Sequence, residues 1–384
     1  MVWDIDPSNR GTGLPLEGVR VLDLSRVLAG PLCAMIAGDL GADVIKVESP
    51  DGDPVRSLAP PRFGADATYY LAVNRHRRNV VADLRKAADF EHVAKLVEVA
   101  DVVVENYLTS QVRSLNIDGL RARNPECVWI SITPATSGGP LADLPSFDLL
   151  AQARSGLMGV TGESDGPPTK VGSPLADVVT GLYGAIAMLA GLYARSLNRP
   201  GRHFEAPLLE STMSALVNQA QGFLATGVNP RRLGNDHPSI APYGPVTTSD
   251  GLLLLAVGTD QKFARLVTVL GDERLSLDPW ASNDERVAGR DILRSVLNEI
   301  FVERSSAHWL GVLEGSDVPY APVLDVAGAF AQEQIREGDF VGEMSSPAGP
   351  LTTMRTPLLI DGVRPSIRGG PRRQGEDTES IFDD

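Results

Sequence analysis

The sequence has only two cysteines and an excess of acidic residues, and both features restrict what the protein can be. Cys33 and Cys127 stand in apolar surroundings, so we expect two buried core thiols and a reducing compartment rather than a disulfide framework. The formal net charge of −14 argues against a nucleic-acid or anionic-membrane partner, because binding phosphate polymers requires an excess of Lys and Arg. An anionic small ligand would need a local basic patch.

Several catalytic motifs are also missing. The histidines show no His-x-x-x-His or Glu-x-x-His spacing, so a catalytic metal has little support. There is no Gly-x-Ser-x-Gly elbow and no Gly-x-x-x-x-Gly-Lys-Ser/Thr loop. The turn from Arg26 to Pro31 has one glycine where the dinucleotide fingerprint needs three. Serine hydrolase, nucleoside triphosphatase and NAD-dependent chemistry are therefore disfavoured.

The N-terminal residues are mixed and polar. No basic segment is followed by an apolar run, so we expect no signal peptide, no export and a cytoplasmic location. The uncharged run 178–194 approaches the length of a membrane span, but three glycines interrupt it and Asp177 and Arg195 bracket it. We predict that this run is a buried core helix.

Apolar runs and helical patterns alternate through the first half of the chain. We expect strands at 19–24, 43–48, 79–84, 102–105 and 128–132, and helices at 31–40, 86–99 and 175–198. Strands that are apolar throughout and alternate with helices indicate a parallel sheet covered on both faces. The predicted fold class is α/β.

Proline- and glycine-rich stretches divide the chain further. The stop signal Asn198-Arg199-Pro200-Gly201 ends a large domain, which we place at residues 1–200. A helical linker is expected at 201–225, a smaller α+β domain at 226–325 and a C-terminal segment at 326–384. From about residue 361 this segment has the composition of irregular surface chain.

Asp177 stands at the head of the apolar run in the segment KVGSPLADVVTGLYGAIAML. In the first turn of a helix, the macrodipole would stabilise its charge by roughly 0.3–1 kcal/mol. A carboxylate so placed is also a candidate covalent nucleophile toward a thioester or ester. Gly181 and Gly184 share its helix face and leave space either for close helix packing or for a ligand chain. The residues alone support capping and catalysis about equally.

The segment from Asn74 to Asn79 is the densest basic cluster of the chain. Arg75, Arg77 and Arg78 could bind the phosphates of a nucleotide-like ligand through bidentate contacts. A solvated charged turn is the more frequent explanation for such a cluster.

Five ordered motifs together resemble the class III CoA-transferases (the CaiB/BaiF family, formyl-CoA transferase type). They are LEGVRVLDLSRVLAGPLCAMIAGDLGADVIKVE, NRHRRNVVADL, ADVVVENY, GPPTKVGSPLADVVTGLYGAIAML and RRLGNDHPSIAPYGPVTTSDGLLLLAVGT. The resemblance runs from about Leu16 to PRRQGEDTESIF near the C-terminus. It implies a Rossmann-like large domain that binds CoA, a small domain, a C-terminal segment that returns to the large domain, and an interlocked-ring homodimer.

The resemblance also implies site residues. Asp177 matches the nucleophilic aspartate of the family. The residues matching its CoA contacts are Val27, Leu28 and Ala29 beside the thioester, Asn74, Arg75 and Arg77 near the adenosine phosphates, and Asn106 with Tyr107 along the CoA chain. Coenzyme A would be a co-substrate, and no permanently bound cofactor or metal is implied.

The sequence departs from the family at several positions. Leu108 to Asn116 differ from the usual phosphate-binding stretch, which leaves Arg113 as a displaced candidate. Thr133 to Thr136 replace a glycine-rich or lysine-containing stretch, and Leu28 stands where formyl-CoA transferase has Gln. A formyl- or oxalyl-specific role is therefore disfavoured.

The expected reaction is CoA transfer from an acyl-CoA to a free carboxylic acid, with Asp177 carrying the acyl group and then CoA. One alternative is an α-methylacyl-CoA racemase, which uses a Gly-His-Asp sequence where this chain has Ser146-Phe147-Asp148. Another is a CoA-binding protein without turnover. The identity of the acyl group stays open, with a larger apolar acid or a dicarboxylate such as succinate both compatible.

Overall fold

The computed structural model describes residues 3–276 and 279–382. Contacts divide this chain into two units, a larger one of residues 3–157, 171–227 and 333–382 and a smaller one of residues 158–170, 228–276 and 279–332. Each unit is described by itself below.

The strands are, in chain order, β1 Arg20–Asp23, β2 Asp43–Glu48, β3 Arg62–Phe63, β4 Asp66–Ala67, β5 Arg77–Val81, β6 Val102–Glu105, β7 Val128–Thr133, β8 His203–Pro207, β9 Tyr243–Thr247, β10 Leu252–Ala256, β11 Tyr320–Pro322, β12 Val341–Met344 and β13 Leu351–Met354. The helices are α1 Ala29–Asp39, α2 Thr68–Val73, α3 Ala87–Val99, α4 Thr109–Ser114, α5 Ile117–Ala122, α6 Asp148–Arg154, α7 Leu157–Val160, α8 Leu175–Ser196, α9 Leu208–Ser214, α10 Asn218–Thr226, α11 Asp260–Leu270, α12 Asn283–Ala288, α13 Arg290–Phe301, α14 Ser306–Leu313, α15 Val326–Ala331, α16 Glu333–Glu337 and α17 Thr378–Phe382.

The larger unit is built on a six-stranded sheet with the order β5-β2-β1-β6-β7-β8. Every pairing in it is parallel, so the prediction of a parallel α/β sheet is confirmed. One face packs on α3 and α5 and the other on α1 and α8, each over a cluster of buried aliphatic side chains. Cys33 and Cys127 are free and buried in these clusters, as predicted.

The smaller unit contains the antiparallel sheet β11-β10-β9, packed against helices from α11 to α14. Arg286 packs on Phe263 of its apolar cluster, and the side chain of this arginine is 0% exposed. The guanidinium donates to Asp260 at 2.6 Å and to backbone carbonyls, including that of Ala241. Burial of this charge is tolerated because its N–H groups have acceptors.

Two strands differ from the expectations because we predicted strands from runs of apolar residues, and these two contain polar or charged residues. Residues 203–207 form β8, a polar strand at one sheet edge, so the prediction of a helical linker at 201–225 was wrong over this strand. Strand β5 begins at Arg77 rather than Asn79, since the first two residues are arginines whose charges are paired.

The C-terminal tail also differs from the irregular surface chain that we expected. Asp377 and Thr378 hydrogen-bond to Asn79 and Val81 of the edge strand β5, and Ile381 is buried in the core cluster. The tail thereby covers an edge whose N–H groups would otherwise be open to another strand.

Helix α8 lies against α1 and β7 through its glycines. A Cβ atom at Gly181 would lie 2.8 Å from the Ala29 carbonyl oxygen, and one at Gly191 would lie 2.4 Å from the Val128 side chain. Gly184 faces Cys33 in the same way. Of the two roles left open for these glycines, the structure therefore supports close helix packing.

The outer face of α8 is apolar and exposed. Ile186 is 60% exposed and Tyr193 is 67% exposed, and Leu182 and Leu189 complete the stripe at helical spacing. By length and composition alone, α8 could cross a membrane, but the core helices of other proteins share these properties. In its most apolar stretch, 39% of the residues are buried. The prediction of a buried core helix holds for one face only.

Substitution of Gly181 by Ala tests the α1–α8 contact. We expect Gly181→Ala to lower the free energy of unfolding by about 1–3 kcal/mol, because the new methyl group must displace the Ala29 carbonyl or the Leu32 side chain. Gly311→Ala in α14 is the control, since a Cβ there meets nothing within 4 Å and Ala favours a helix by about 0.5–1 kcal/mol. Equal stability of both variants in denaturant titrations would contradict the packing role.

Candidate active site

The sheet has a topological switch point between β1 and β6. From β1 the chain continues to β2 and β5 on one side, whereas β6 leads to β7 and β8 on the other. The loops after two such strands diverge, which opens a crevice at the carboxyl edge of the sheet where ligands of α/β proteins bind. The predicted contact residues Val27 to Ala29 and Asn106 with Tyr107 lie in these two loops.

A buried lysine, Lys46, binds the loop after β1. Lys46 Nζ donates to the Ser25 carbonyl at 2.8 Å and pairs with Asp53 Oδ2 at 3.0 Å. Asp53 in turn accepts the Val27 N–H at 3.2 Å, and Val27 has a φ of 73°. A β-branched residue at positive φ is strained, so this network holds the loop in a conformation that it would not adopt alone.

The two loops are joined by Asn106. Its Oδ1 accepts the Arg26 N–H at 3.0 Å and its Nδ2 donates to the Arg26 carbonyl at 2.8 Å. The Tyr107 N–H donates to the buried Glu105 carboxylate at 2.7 Å. The amide of Asn106 therefore connects backbone to backbone, and its predicted contact with CoA stays a prediction.

Leu28 and Ala29 lead into α1 and are each 4% exposed. No side chain caps the N-terminus of α1, so the N–H groups of Ala29 and Gly30, the two donors before Pro31, have no intrahelical acceptor. Gly30 allows the tight entry, because a Cβ there would lie 2.2 Å from Ser25 Oγ. This end of α1 combines free donors with the positive pole of the helix dipole.

Asp177 lies in the first turn of α8, and the chain leading to it is fixed by Asp148. The Asp148 carboxylate accepts the Ala176 N–H at 2.8 Å and the Gln152 amide at 2.7 Å. Gln152 also accepts the Val171 N–H at 2.8 Å. Residues 171–176 are thus tied to α6, which sets where α8 begins.

The Asp177 carboxylate is half-buried and has no hydrogen bond or ion pair with any residue of 3–276 or 279–382. Burial, and second the negative charge of Asp148, raise its pKa from 3.8 to about 7. The helix N-terminus favours the charged form by roughly 0.3–1 kcal/mol, which is too little to offset burial. An unpaired carboxylate has free lone pairs, and this favours the nucleophile role over the capping role.

Tyr69 is a further half-buried group beside the acid. Burial and the charges of Asp177, Asp148 and Asp53 raise its pKa to about 12, so it remains a protonated donor. Tyr69 is therefore close enough to interact electrostatically with Asp177, the candidate nucleophile, and with Asp53, which binds the β1 loop.

The arginine turn is buried and paired with carboxylates rather than solvated. Arg75 makes a bidentate pair with Asp39 at 2.7 and 2.6 Å, and Arg77 pairs with Asp23 at 2.5 Å. Arg77 also donates to Asn74 Oδ1 at 3.1 Å, and all three of these turn residues are buried. Phosphate binding by the side chains of Asn74, Arg75 or Arg77 would compete with these contacts, and the predicted phosphate contact stays a prediction.

Arg113 is different, because it lies exposed in the last turn of α4. Its guanidinium has no ion pair or hydrogen bond with the described part of the chain. It is therefore available to an anion beyond the Asn106–Tyr107 loop, as the phosphate hypothesis requires.

Sequence reasoning missed Tyr69, Asp148 and Asp53 as parts of the site. In the sequence, Asp148 stands out only as the aspartate of Ser146-Phe147-Asp148, which matches the last residue of the racemase motif, and neither Tyr69 nor Asp53 lies in a recognisable pattern. The sequence carried a signal only for Asp148, which is the first residue of α6, a position where acidic residues are common.

Comparisons with known proteins agree with this architecture. The model of CoA-transferase family III matches residues 16–378. A succinate–glutarate CoA-transferase of Agrobacterium fabrum is 38% identical over 357 residues, covering 90% of this chain and 89% of that protein. The human succinyl-CoA:glutarate CoA-transferase is 36% identical over 373 residues, covering 96% and 85%. A solved CaiB/BaiF family protein from Brucella suis has a TM-score of 0.85 at 36% identity, covering 96% and 98%.

Neutralising Asp177 should stabilise the protein at high pH. A folded-state pKa of about 7 against 3.8 means that stability falls as pH rises through this window, because the folded state holds the proton more tightly. We expect Asp177→Asn to unfold at a higher temperature than wild type at about pH 8 and at the same temperature at about pH 4.

The exposed Asp143 provides the matched control. Asp143→Asn should not alter the pH dependence of the melting temperature. A pH-independent effect of Asp177→Asn would contradict the raised pKa.

Proposed function

The chain belongs to CoA-transferase family III, and on this premise we propose that it exchanges CoA between short dicarboxylic acids through covalent intermediates on Asp177. The protein is a CoA-transferase, which moves CoA from an acyl-CoA thioester to a free acid. The observation that carries the proposed mechanism is the unpaired carboxylate of Asp177 at the N-terminus of α8, close to the loops of the switch point.

The first half of the proposed reaction loads CoA onto the enzyme. An Asp177 oxygen attacks the donor thioester carbon, the C–S bond breaks, and a mixed aspartyl-acyl anhydride and CoA thiolate form. The thiolate then attacks the aspartyl carbonyl carbon, which releases the donor acid and leaves CoA as an aspartyl thioester. Both leaving groups depart as anions, so no proton transfer, metal or ATP is needed.

The second half reverses these steps with the acceptor. The acceptor carboxylate attacks the aspartyl thioester, which gives a new anhydride and CoA thiolate. The thiolate attacks the acceptor carbonyl, and the new acyl-CoA leaves with Asp177 again ionised. The enzyme's acyl group resembles those of the substrates, so successive intermediates lie close in free energy.

Each attack develops negative charge on a carbonyl oxygen. We assign its stabilisation to N–H groups in the first turn of α1, where no side chain caps the helix. Gly181 supports this assignment, because it lets α8 approach the Ala29 carbonyl one helical turn after Asp177. Tyr69, as a neutral donor, is suited to bind a substrate carboxylate.

The proposed substrates are succinate-like dicarboxylates. Relatives 36–38% identical over most of the chain are named for succinate and glutarate. The side chain of Leu28, which replaces the Gln of formyl-CoA transferase, is 4% exposed, so it would affect acyl choice through the shape of the loop.

Isotope exchange tests this function. Incubation of succinyl-CoA with labelled succinate should move label into the thioester without any second acid. Asp177→Asn should lower the exchange rate by about 10³-fold or more, since the nucleophile is lost. Retention of exchange by this variant would contradict the mechanism, and solvent deuterium entering a 2-methylacyl-CoA without CoA exchange would favour a racemase.

Asp148→Asn is the matched partner variant. It keeps an oxygen acceptor for the Ala176 N–H and removes the charge that helps to raise the pKa of Asp177. Exchange should persist, and the acid limb of kcat/KM, expected near pH 7 in wild type, should move to lower pH. An unmoved acid limb would show that Asp177 does not set it.

We also propose that a second copy of this chain covers the outer face of α8. The stripe of Leu182, Ile186, Leu189 and Tyr193 is exposed, and so is Met213 of α9, which packs against α8. Helix α10 also exposes apolar side chains, including Leu224 at 74% exposure. Exposed apolar side chains in this number are typical of a permanent interface. The interlocked homodimer implied by the sequence resemblance would bury it.

Light scattering on the purified protein tests the dimer. Wild type should have the mass of two chains, and Ile186→Glu should give monomers or aggregates, because a charge in a buried interface has no partner. Ile292→Glu is the control, an exposed isoleucine of the smaller unit that is 65% exposed. A monomeric wild type would contradict the proposal.

A further inference from the structure

The larger unit has a cavity of about 510 Å³ at the edge of the sheet opposite to Asp177. Asp43 and Val44 of β2 and Arg77 and Arg78 of β5 line it, and these residues begin their strands. In a parallel sheet they mark the amino edge, whereas the loops beside Asp177 follow the carboxyl ends. The rest of the wall comes from the N-terminal segment and from residues 345–347 and 368–376.

Three nitrogen atoms of the wall are buried without a hydrogen-bond partner. They are His76 Nδ1, Arg78 Nε and Arg368 Nη1. Leaving a buried polar atom unpaired costs about 1–3 kcal/mol, and more for a charged group. Three such atoms around one cavity indicate that a polar molecule fits there.

Some guanidinium groups of the wall have a carboxylate partner and others do not. Arg78 and Arg372 have carboxylate partners, Asp43 and Glu376. Arg368 has no carboxylate within 4.0 Å among the described residues, and donates only to Asn9 Oδ1 and the Gly38 carbonyl. Arg373 is exposed and also has no ion pair in the described chain. The wall also contains the carboxylate of Asp6, which accepts from Ser8. Arg368 and Arg373, which lack a direct ion pair, favour an anion with several oxygens.

His76 adds a requirement for a hydroxyl group. Its side chain is 1% exposed, and its Nε2 bonds to Asp39 at 3.0 Å. Burial lowers the pKa of His76, so the ring is neutral, with its proton on Nε2 and a free lone pair on Nδ1. The unpartnered Nδ1 of this lining residue is therefore an acceptor that needs an O–H donor. The wall contains no aromatic residue other than this imidazole, so it offers no stacking surface for a nucleobase.

We propose that this amino-edge cavity is a second ligand site, which binds a small multivalent oxyanion bearing a hydroxyl group. Monohydrogen phosphate and hydroxylated polycarboxylates share this chemistry. Their oxygens accept from Arg368 and Arg78, and their hydroxyl donates to His76 Nδ1. The site is separate from the CoA site, because the two lie at opposite edges of the sheet.

Isothermal titration with citrate, tricarballylate and inorganic phosphate tests the site in the presence of saturating CoA. Tricarballylate is citrate without its hydroxyl, so it isolates the contribution of His76. Citrate or phosphate should bind, CoA should not displace it, and tricarballylate should bind several-fold more weakly than citrate. Binding of citrate alone identifies a polycarboxylate site, and binding of phosphate alone identifies a phosphate site.

Two variants and a control localise the binding. Arg373→Glu and Arg368→Gln should each weaken it by roughly tenfold or more. Arg304→Glu, an exposed arginine of the smaller unit that does not line the cavity, should leave it unchanged. Arg373→Glu is the decisive variant, because its exposed side chain has no structural bond to lose and CoA-transfer activity checks that it is folded.

Three results would overturn the proposal. They are no binding of citrate or phosphate to wild type, displacement of the bound anion by CoA, or equal affinity of wild type and Arg373→Glu. The transferase mechanism is measured separately by isotope exchange, so failure of this site and failure of that mechanism are distinguishable.

Discussion

The contact between α1 and α8 sets the geometry on which the active site depends. Gly181 lets α8 pack directly on the Ala29 carbonyl, and Asp177 lies one turn earlier on the same helix. Asp148 fixes the start of α8 from the other side by accepting the Ala176 N–H. Because both ends of this turn are constrained, the carboxylate is held beside the N-terminal turn of α1, the helix that follows the β1 loop. Reactivity here comes from placement, since no cation in the described chain pairs with Asp177.

The same placement has a thermodynamic consequence. An acid that is buried near another carboxylate and left unpaired is destabilising when ionised, and its raised pKa records this. Val27 is a second case, because its positive φ is unfavourable and is maintained by the contacts of the buried Lys46 and Asp53.

Features that depend on residues close together in the sequence could be predicted from it. Strand β2 could be predicted to the residue because Val44, Ile45 and Val47 form a local β-type pattern, and the start of α8 was marked by Pro174 and Asp177. The arginine turn could not be read this way, since the partners Asp23 and Asp39 are far along the chain. For the same reason Tyr69 was missed, because its proximity to Asp177 exists only in the fold. The exposed face of α8 was misjudged because apolar character does not distinguish a core from an interface.

The central claim is that Asp177 carries CoA covalently. Mass spectrometry of the enzyme mixed with succinyl-CoA alone, without an acceptor acid, tests it most directly. The account predicts a CoA adduct on the peptide containing Asp177, which hydroxylamine converts to a hydroxamate and which Asp177→Asn does not form. An enzyme that exchanges label between succinate and succinyl-CoA without an adduct, or with an adduct on another residue, would contradict the account.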